Sequence, residues 1–172
     1  VAPAPGPKLE FPAGGTTVVL TRIEFGDSKF LSPAELDAIR ARYLGRRVDL
    51  AEIGKLVQAV NDLYAEKGQI TASAVLPPQK LDGGVLKVQL VEGRVGKVSL
   101  NGAVQTWPWY IRSQVPIGEG EVVDAPALNR EVSIFNRLNE IQIRAQLAVG
   151  ASFGLTDVEL GLTEPARNVV QL

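Results

Sequence analysis

The 172-residue sequence contains no cysteine and no histidine. Disulfides, thiol nucleophiles and Ser-His-Asp triads are therefore excluded, together with the commonest zinc and haem ligands. No uninterrupted apolar run reaches the roughly 20 residues that a membrane-spanning helix needs. Neither charge is in excess, because 18 basic and 19 acidic residues leave a net charge of −1, and no overall field attracts nucleic acid. These absences argue against an enzyme, a metal or other cofactor, a small-molecule substrate and a nucleic-acid partner.

Methionine is absent as well, and the chain begins VAPAPGPKLEFPAGG. This start suggests a processed or excised piece of a longer product. Its proline and glycine content favours extended chain over helix or sheet, so residues 1–16 are predicted to form a linker. The remaining composition, 45% hydrophobic and 22% charged, is that of a globular protein.

The first half of the chain predicts one strand followed by two helices. In TVVLTRIEFG the alternating positions predicted to face one side are Val19, Thr21, Ile23 and possibly Phe25. Ser32 followed by Glu35 predicts a capping box for the first helix. Asp49 caps a second helix whose apolar face comprises Ile53, Leu56, Val57, Val60, Leu63 and Tyr64, and which Gly68 ends.

A hairpin follows the second helix. In ITASAVLP, alternation predicts a strand with Ile70, Ala72, Ala74 and Leu76 on its inner face. Pro77 and Pro78 cannot extend a ladder, so VLKVQLVE is predicted to return antiparallel. The unit is therefore β-α-α-β-β.

The second half of the chain repeats this unit. An offset of 72 carries Leu56, Val60 and Leu63 to Leu128, Val132 and Phe135, and carries Leu86, Val88, Leu90 and Glu92 to Val158, Leu160, Leu162 and Glu164. Offsets of 73 and 75 align the remaining strands, and agreement in order and spacing over four elements indicates duplication. The predicted fold class is α+β, with two tandem β-α-α-β-β domains at residues 17–93 and 94–166.

The stretch LYAEKGQITASAVLPPQKLDGGVLKVQLVEGRVGKVSL resembles the first POTRA domain, and its junction to the second, in outer-membrane transporters of the two-partner secretion family. The matching positions are Tyr64, Gly68, Leu76, Pro77, Gln79, Gly84, Leu86, Glu92, Gly93 and Val95. Gln69 departs from the pattern, because many relatives carry an aromatic residue there. The resemblance implies two POTRA domains, each with a three-stranded mixed sheet packed on two helices.

The same resemblance implies a location and partners. The chain is expected on the periplasmic side of the outer membrane of a Gram-negative bacterium, where it binds a secreted partner protein in extended form. Residues 167–172 are expected to begin the connection to the transporter's own C-terminal β-barrel. Two alternatives stay open: the POTRA region of another outer-membrane assembly or secretion system, and a structural scaffold.

Three groups of residues are candidate sites. Thr71, Ser73 and Val75 lie on the outward face of a predicted edge strand without a charged guard, and such an edge can accept another chain; the alternative is an ordinary solvent-facing strand. Arg40, Tyr43 and Arg46, near the end of the first helix, form a second candidate for the partner. A solvated face or complementation of the helix dipole is the preferred interpretation there, and a patch for an acidic segment of the partner or for lipid head groups is the alternative. Gly93, Arg94 and Gly96 are predicted to form an interdomain hinge with a narrow range.

The segment TWPWYIR brings both tryptophans, Trp107 and Trp109, to a predicted helix start. Packing in the core, or a hydrophobic staple, is the preferred interpretation, and a binding platform is the alternative.

Overall fold

The computed structural model of the chain describes residues 17–102, 108–115 and 117–164. The predicted linker at 1–16, the predicted connection at 167–172 and Trp107 lie outside the described residues. The chain divides into two compact units, Val1–Glu92 and Gly93–Leu172, and each is described by itself.

The first unit contains two helices whose ends were predicted from their caps. Its elements in chain order are β1 (Val18–Val19), β2 (Arg22–Phe25), α1 (Pro33–Tyr43), β3 (Arg47–Val48), α2 (Leu50–Glu66), β4 (Ala72–Val75) and β5 (Val85–Glu92). The Ser32 hydroxyl accepts from the Glu35 backbone, and the Glu35 carboxylate accepts from the Ser32 backbone, which confirms the capping box. Asp49 accepts the Glu52 N–H at 2.8 Å and caps α2.

The main sheet of the first unit has the strand order β2-β5-β4. Strand β5 runs parallel to β2 and antiparallel to β4, so the predicted mixed sheet is confirmed. One face of α2 packs against it. The buried side chains of this core include Ile23, Leu36, Ile39, Ile53, Leu56, Val57, Val60, Tyr64, Ala74, Leu86 and Val88.

The predicted first strand is wrong in its register and its length. The segment breaks between β1 and β2, and Leu20 is fully buried while Val19 and Thr21 are exposed. At the break, Thr21 bonds to the turn before β5: its N–H donates to the Gly84 carbonyl at 2.9 Å, and its hydroxyl donates to the Gly83 carbonyl at 2.7 Å. Strand β1 instead pairs with β3 in a separate two-stranded sheet, which the sequence analysis missed.

The second unit repeats the topology of the first. Its elements are β6 (Arg94–Asn101), α3 (Pro108–Gln114), α4 (Ala125–Leu138), β7 (Gln142–Val149) and β8 (Leu155–Thr163). The strand order is β6-β8-β7, with β8 parallel to β6 and antiparallel to β7. The last strand of each unit is therefore central, as the duplication predicts. The buried core includes Val95, Ile111, Val115, Val123, Leu128, Val132, Phe135, Ile143, Val158, Leu160 and Leu162.

The inner faces of the two edge strands were only partly predicted. Ala74 and Ile143 are buried, but Ile70 is exposed and Val149 is 94% exposed. Ile70 lies in the turn before β4, so strand alternation does not apply to it. Val149 is the last residue of β7.

Candidate functional site

Strand β4 lies at an edge of its sheet, as predicted. Ser73 is exposed, Val75 is half-buried, and Thr71 precedes the strand in a turn. The three candidates are thus close to one another along the edge. Whether this edge can accept another chain depends on its backbone donors and acceptors as well as on side chains.

The backbone donors on the open side of β4 are occupied within the first unit. The Ala74 N–H donates to the Asn61 side-chain oxygen at 2.6 Å, so it points away from β5. Alternation then directs the N–H groups of Ser73 and Val75 toward β5, and that of Ala72 toward the open side. The Ala72 N–H meets the Gln69 carbonyl at 3.4 Å. Strand β4 therefore presents carbonyls on its open side, but each of its N–H groups on that side already has a partner within the first unit.

Gln79 continues the β4 ladder after the prolines end the strand. Its side-chain nitrogen donates to the Lys87 carbonyl at 2.7 Å, and its side-chain oxygen accepts the Lys87 N–H at 2.8 Å. The carboxamide therefore replaces one peptide unit of a strand that Pro77 and Pro78 cannot extend. This contact explains physically why a glutamine follows the prolines in the matching pattern.

Strand β7 is the corresponding edge of the second unit, and it is twice as long. Asn136 of α4 binds the outward groups of Ile143, accepting its N–H at 2.6 Å and donating to its carbonyl at 2.9 Å. Gly150 donates to Leu155 in β8, so residues of even number face β8 and those of odd number face outward. The outward backbone groups beyond Ile143 are those of Ala145, Leu147 and Val149.

These three outward residues make β7 the more open edge. Among the residues that the structure describes, no hydrogen bond engages the N–H or carbonyl groups of Ala145, Leu147 and Val149. Leu147 is half-buried and Val149 is exposed. The uncharged outward side chains of β4 predicted that strand as the binding edge, and its role stays a prediction; β7 was not among the predicted sites. Two asparagines, Asn61 and Asn136, were the available signal, because asparagine is a weak helix former that readily bonds to backbone.

The predicted arginine candidates lie on the other side of the first unit. Arg40 donates from Nε to the Ile23 carbonyl of β2 at 3.0 Å, stacks 5.5 Å from the centre of the Phe25 ring and forms an ion pair with Asp37. Tyr43 is half-buried against the core. Because β2 and β4 are opposite edges, the structure does not bring this group together with Ser73.

Trp109 is 66% exposed, so the prediction that it packs in the core is wrong, whereas the hydrophobic staple stays a prediction. Its ring meets that of Tyr110 edge-on, with the centres 6.2 Å apart. Tyr110 ties α3 to the end of α4, because its hydroxyl donates to the Asn139 side chain at 3.0 Å.

The last residue of the first unit, Glu92, holds the loop between β2 and α1. Its carboxylate accepts the Lys29 N–H at 3.0 Å, the Tyr64 hydroxyl at 3.1 Å and the Ser28 hydroxyl. Burial raises the pKa of Tyr64 to about 12, and the neighbouring Glu92 charge acts in the same direction. The phenol therefore stays protonated and keeps donating to Glu92.

The predicted hinge residues belong to the backbone framework of the second unit. The Gly93 carbonyl accepts from Val123 at 2.8 Å, and the Arg94 N–H donates to Gly154 at 2.8 Å. Gly96 lies at an irregularity in β6. The role of Gly93, Arg94 and Gly96 as a hinge stays a prediction.

The described residues contain neither a cluster of metal ligands nor a membrane-spanning helix. Within residues 17–102, 108–115 and 117–164, no group of three or more acidic, histidine or cysteine side chains could hold a metal ion. The helices of these ranges include none of the length and hydropathy required to span a membrane.

Residues 18–93 match the family model described as POTRA domain, ShlB-type. The first unit is a ShlB-type POTRA domain. The chain is 30% identical over 146 residues to the outer membrane transporter CdiB of Dickeya dadantii, an alignment that covers 85% of this chain and 26% of the relative. The chain thus spans about a quarter of the length of this transporter. It is homologous to the transporters of two-partner secretion, a family of transporters rather than enzymes.

Solved structures extend the POTRA assignment to both units. CdiB from Escherichia coli superposes with a TM-score of 0.76 at 25% identity, covering 95% of this chain and 30% of that one. The N-terminal domain of Omp85 from Thermosynechococcus elongatus gives a TM-score of 0.72 at 20% identity, with 86% of this chain and 67% of that chain covered. The second similarity concerns the fold alone. Together they support two tandem POTRA-like units.

Proposed function

We propose that this pair of POTRA domains is the periplasmic substrate-recognition module of a two-partner secretion transporter. It binds a secreted partner protein in extended form and delivers it to the β-barrel of the same transporter. It performs no catalysis and needs no cofactor. Homology to CdiB supports the transporter class.

The observation that carries the binding step is the open edge of β7. Its outward N–H and carbonyl groups at Ala145, Leu147 and Val149 match the spacing of an added strand, whereas Asn61 and Gln69 occupy the outward donors of β4. An extended segment adds to such an edge through main-chain hydrogen bonds, which are largely independent of sequence. We therefore place the stronger contact at β7 and a weaker one at β4, where Ser73 remains exposed.

The expected affinity is low. About four to six backbone hydrogen bonds at ~1 kcal/mol each, reduced by the entropy of ordering the segment, correspond to dissociation constants near the millimolar to high-micromolar range. Weak contacts suit a chain that must move on toward the barrel.

Site-specific crosslinking in secreting cells tests the proposal. The 172-residue chain contains no cysteine, so a cysteine introduced at Val149 of β7 is the one thiol of this chain that can carry a photo-crosslinker. Lys97→Cys is the matched control, because Lys97 is exposed on β6, at the opposite edge of the same sheet. We expect the partner protein to be captured from Val149 and not from Lys97.

A second pair of variants separates the backbone from the side chain. Leu147→Pro removes one outward N–H while leaving the ladder to β8 intact, and Leu147→Thr removes the leucine but keeps the donor. We expect the proline variant alone to lower capture at Val149. Equal capture from both edges, or capture unaffected by Leu147→Pro, contradicts binding at this edge.

The Omp85 similarity does not favour an alternative role in barrel assembly, because at 20% identity it concerns the fold. The structural scaffold remains the second candidate, and absence of any crosslink to the partner favours it.

A further inference from the structure

Three arginines are exposed where α1 ends and β3 begins: Arg42, Arg46 and Arg47. Arg46 donates to the Arg42 carbonyl at 3.2 Å, which uses one of its five donors. Arg47 lies opposite Val19 in the two-stranded sheet of β1 and β3. The three exposed arginines therefore lie within six positions of the chain, and the Arg46 side chain contacts Arg42.

No ion pair neutralises these arginines among the residues that the structure describes. The nearest carboxylates along the chain, Asp37 and Asp49, are engaged elsewhere, in the ion pair with Arg40 and in the cap of α2. The helix dipole accounts for a cation in the last turn of α1, but Arg46 and Arg47 lie beyond the helix. The whole chain has a net charge of −1. The three arginines therefore form a local positive region on a chain that is nearly neutral overall.

Aliphatic side chains are exposed beside the arginines. Val19, Leu44 and Leu50 are 43%, 37% and 38% exposed, respectively. Val19 is the direct neighbour of Arg47, and Leu44 lies in the turn between Arg42 and Arg46. We call the surface formed by Arg42, Arg46, Arg47, Val19 and Leu44 the arginine surface. Guanidinium groups combined with partly exposed aliphatic residues are typical of contacts with a lipid interface.

We propose that the arginine surface binds anionic phospholipid, with the guanidinium groups on the headgroup phosphates and Leu44 at the level of the glycerol backbone. This contact lies beyond the proposed function and does not depend on it. The Arg46 carbonyl accepts the Leu20 N–H, just before β2, at 3.1 Å, whereas β4 is the edge of the main sheet opposite β2. A polypeptide held along β4 would therefore lie away from the arginine surface. The exposed aliphatic side chains of Val19 and Leu44 beside the guanidinium groups favour lipid over an acidic segment of the partner.

Binding to vesicles tests the proposal directly. The 172-residue chain is sedimented with vesicles of phosphatidylcholine alone and of phosphatidylcholine mixed equally with phosphatidylglycerol, at low ionic strength. Because each arginine near an anionic surface strengthens binding roughly fivefold, Arg42→Gln, Arg46→Gln and Arg47→Gln together should weaken binding to the mixed vesicles on the order of 100-fold. Added salt should weaken wild-type binding as well.

A matched triple variant controls for net charge. Arg112, Arg137 and Arg144 are exposed in the second unit, and their replacement by glutamine changes the net charge by the same amount. We expect this control to retain most of the binding. Equal loss in both triple variants would show an unspecific charge effect and overturn the proposal, as would no binding of the wild-type chain to the mixed vesicles.

A fluorescent label distinguishes lipid from an acidic chain. Leu44→Cys in the cysteine-free chain carries an environment-sensitive dye, with Lys97→Cys as the reference position. We expect a blue-shifted, brighter signal from position 44 with anionic vesicles and no such change with polyglutamate. Binding of polyglutamate without binding of vesicles would reassign the arginine surface to an acidic polypeptide and overturn the proposal.

Discussion

At the scale of single residues, a glycine and an aspartate together build the irregularity in β6. The Asp157 carboxylate on β8 accepts the Lys97 N–H at 2.9 Å. A Cβ atom at Gly96 would lie only 2.5 Å from the same carboxylate oxygen. Gly96 is therefore required by the space that Asp157 occupies, and Asp157 satisfies a backbone donor that the broken register leaves without a strand partner.

The pair predicts a coupling that a double-mutant cycle can measure. Gly96→Ala alone should lower the free energy of unfolding by about 1–3 kcal/mol, because its methyl group overlaps the carboxylate. In the Asp157→Ala background the same substitution should cost clearly less, since the obstructing oxygen is gone. Urea denaturation of the four proteins provides the values.

Gly161→Ala is the control for glycine replacement in this sheet. The nearest atom to its added Cβ would be the Arg144 carbonyl oxygen at 3.7 Å, an ordinary contact. It should change stability by no more than about 0.5 kcal/mol. An equal cost of Gly96→Ala with and without Asp157 would show that the clash is not its cause.

At the scale of elements, the start of α1 is held by a charged network. The Glu35 carboxylate accepts from the Ser32 backbone at 2.8 Å and pairs with Lys67, just beyond α2, at 2.9 Å. Lys67 also donates to the Phe30 carbonyl at 2.8 Å. The hydrogen bond from Lys67, followed by those from Ser32, lowers the pKa of Glu35 from its ordinary 4.5 to about 2. The cap of one helix is thereby tied to the end of the other.

This network predicts an acid-dependent loss of stability. A carboxylate whose pKa is lower in the folded state stabilises the fold above its unfolded pKa, and this contribution disappears as the pH falls. The melting temperature should therefore decrease as the pH is lowered from about 4.5 toward 2, the two values for Glu35. Glu35→Gln should have a lower melting temperature at neutral pH and a weaker dependence in that window. Scanning calorimetry at several pH values measures both proteins.

Glu52→Gln is the comparison for this experiment, because Glu52 also lies in the first turn of a helix but has no ion pair in the described part of the chain. A Glu35→Gln profile parallel to that of the wild type would show that other carboxylates cause the acid dependence.

The elements differ in how far sequence alone could predict them. The helices were predictable because Ser32, Glu35 and Asp49 mark their starts locally and apolar residues recur on one face. The sequence duplication extended the same prediction to the second unit. The first strand was not predictable in the same way, because its break at Thr21 coincides with a hydrogen bond to Gly84, 63 residues later.

The candidate edges show the same limit. That β4 is an edge follows from the predicted topology, but which of its donors face outward depends on register and on Asn61, a residue of a different element. Side-chain alternation in the sequence carries no information about backbone groups that a helix residue occupies. The openness of β7 beyond Ile143 therefore became visible only when strands and helices were placed together.

At the scale of the whole molecule, the connection between the units is reduced to Gly93. On one side, the Glu92 carboxylate is bound by Ser28, Lys29 and Tyr64 of the first unit. On the other, the Arg94 N–H is bound by Gly154 of the second. Both neighbours of Gly93 are thus fixed within their own units, and the Gly93 carbonyl is itself bound by the Val123 N–H of the second unit. A hinge at Gly93 is therefore limited to a narrow range of the glycine's dihedral angles.

Lengthening this connection tests whether it restricts the two units. Each core consists of residues of one unit, so inserting about six Gly-Ser residues after Gly93 should leave both folds intact. The inserted segment behaves as a flexible coil that spreads over about 13 Å, whereas the native connection has no such freedom. Small-angle scattering should therefore give a narrow distribution of distances between the units for the wild type and a broad one for the insertion. Secretion should fall with the insertion, because a longer connection weakens the coupling between binding at one unit and binding at the other. Equally broad distributions in both proteins would contradict the restricted hinge at Gly93.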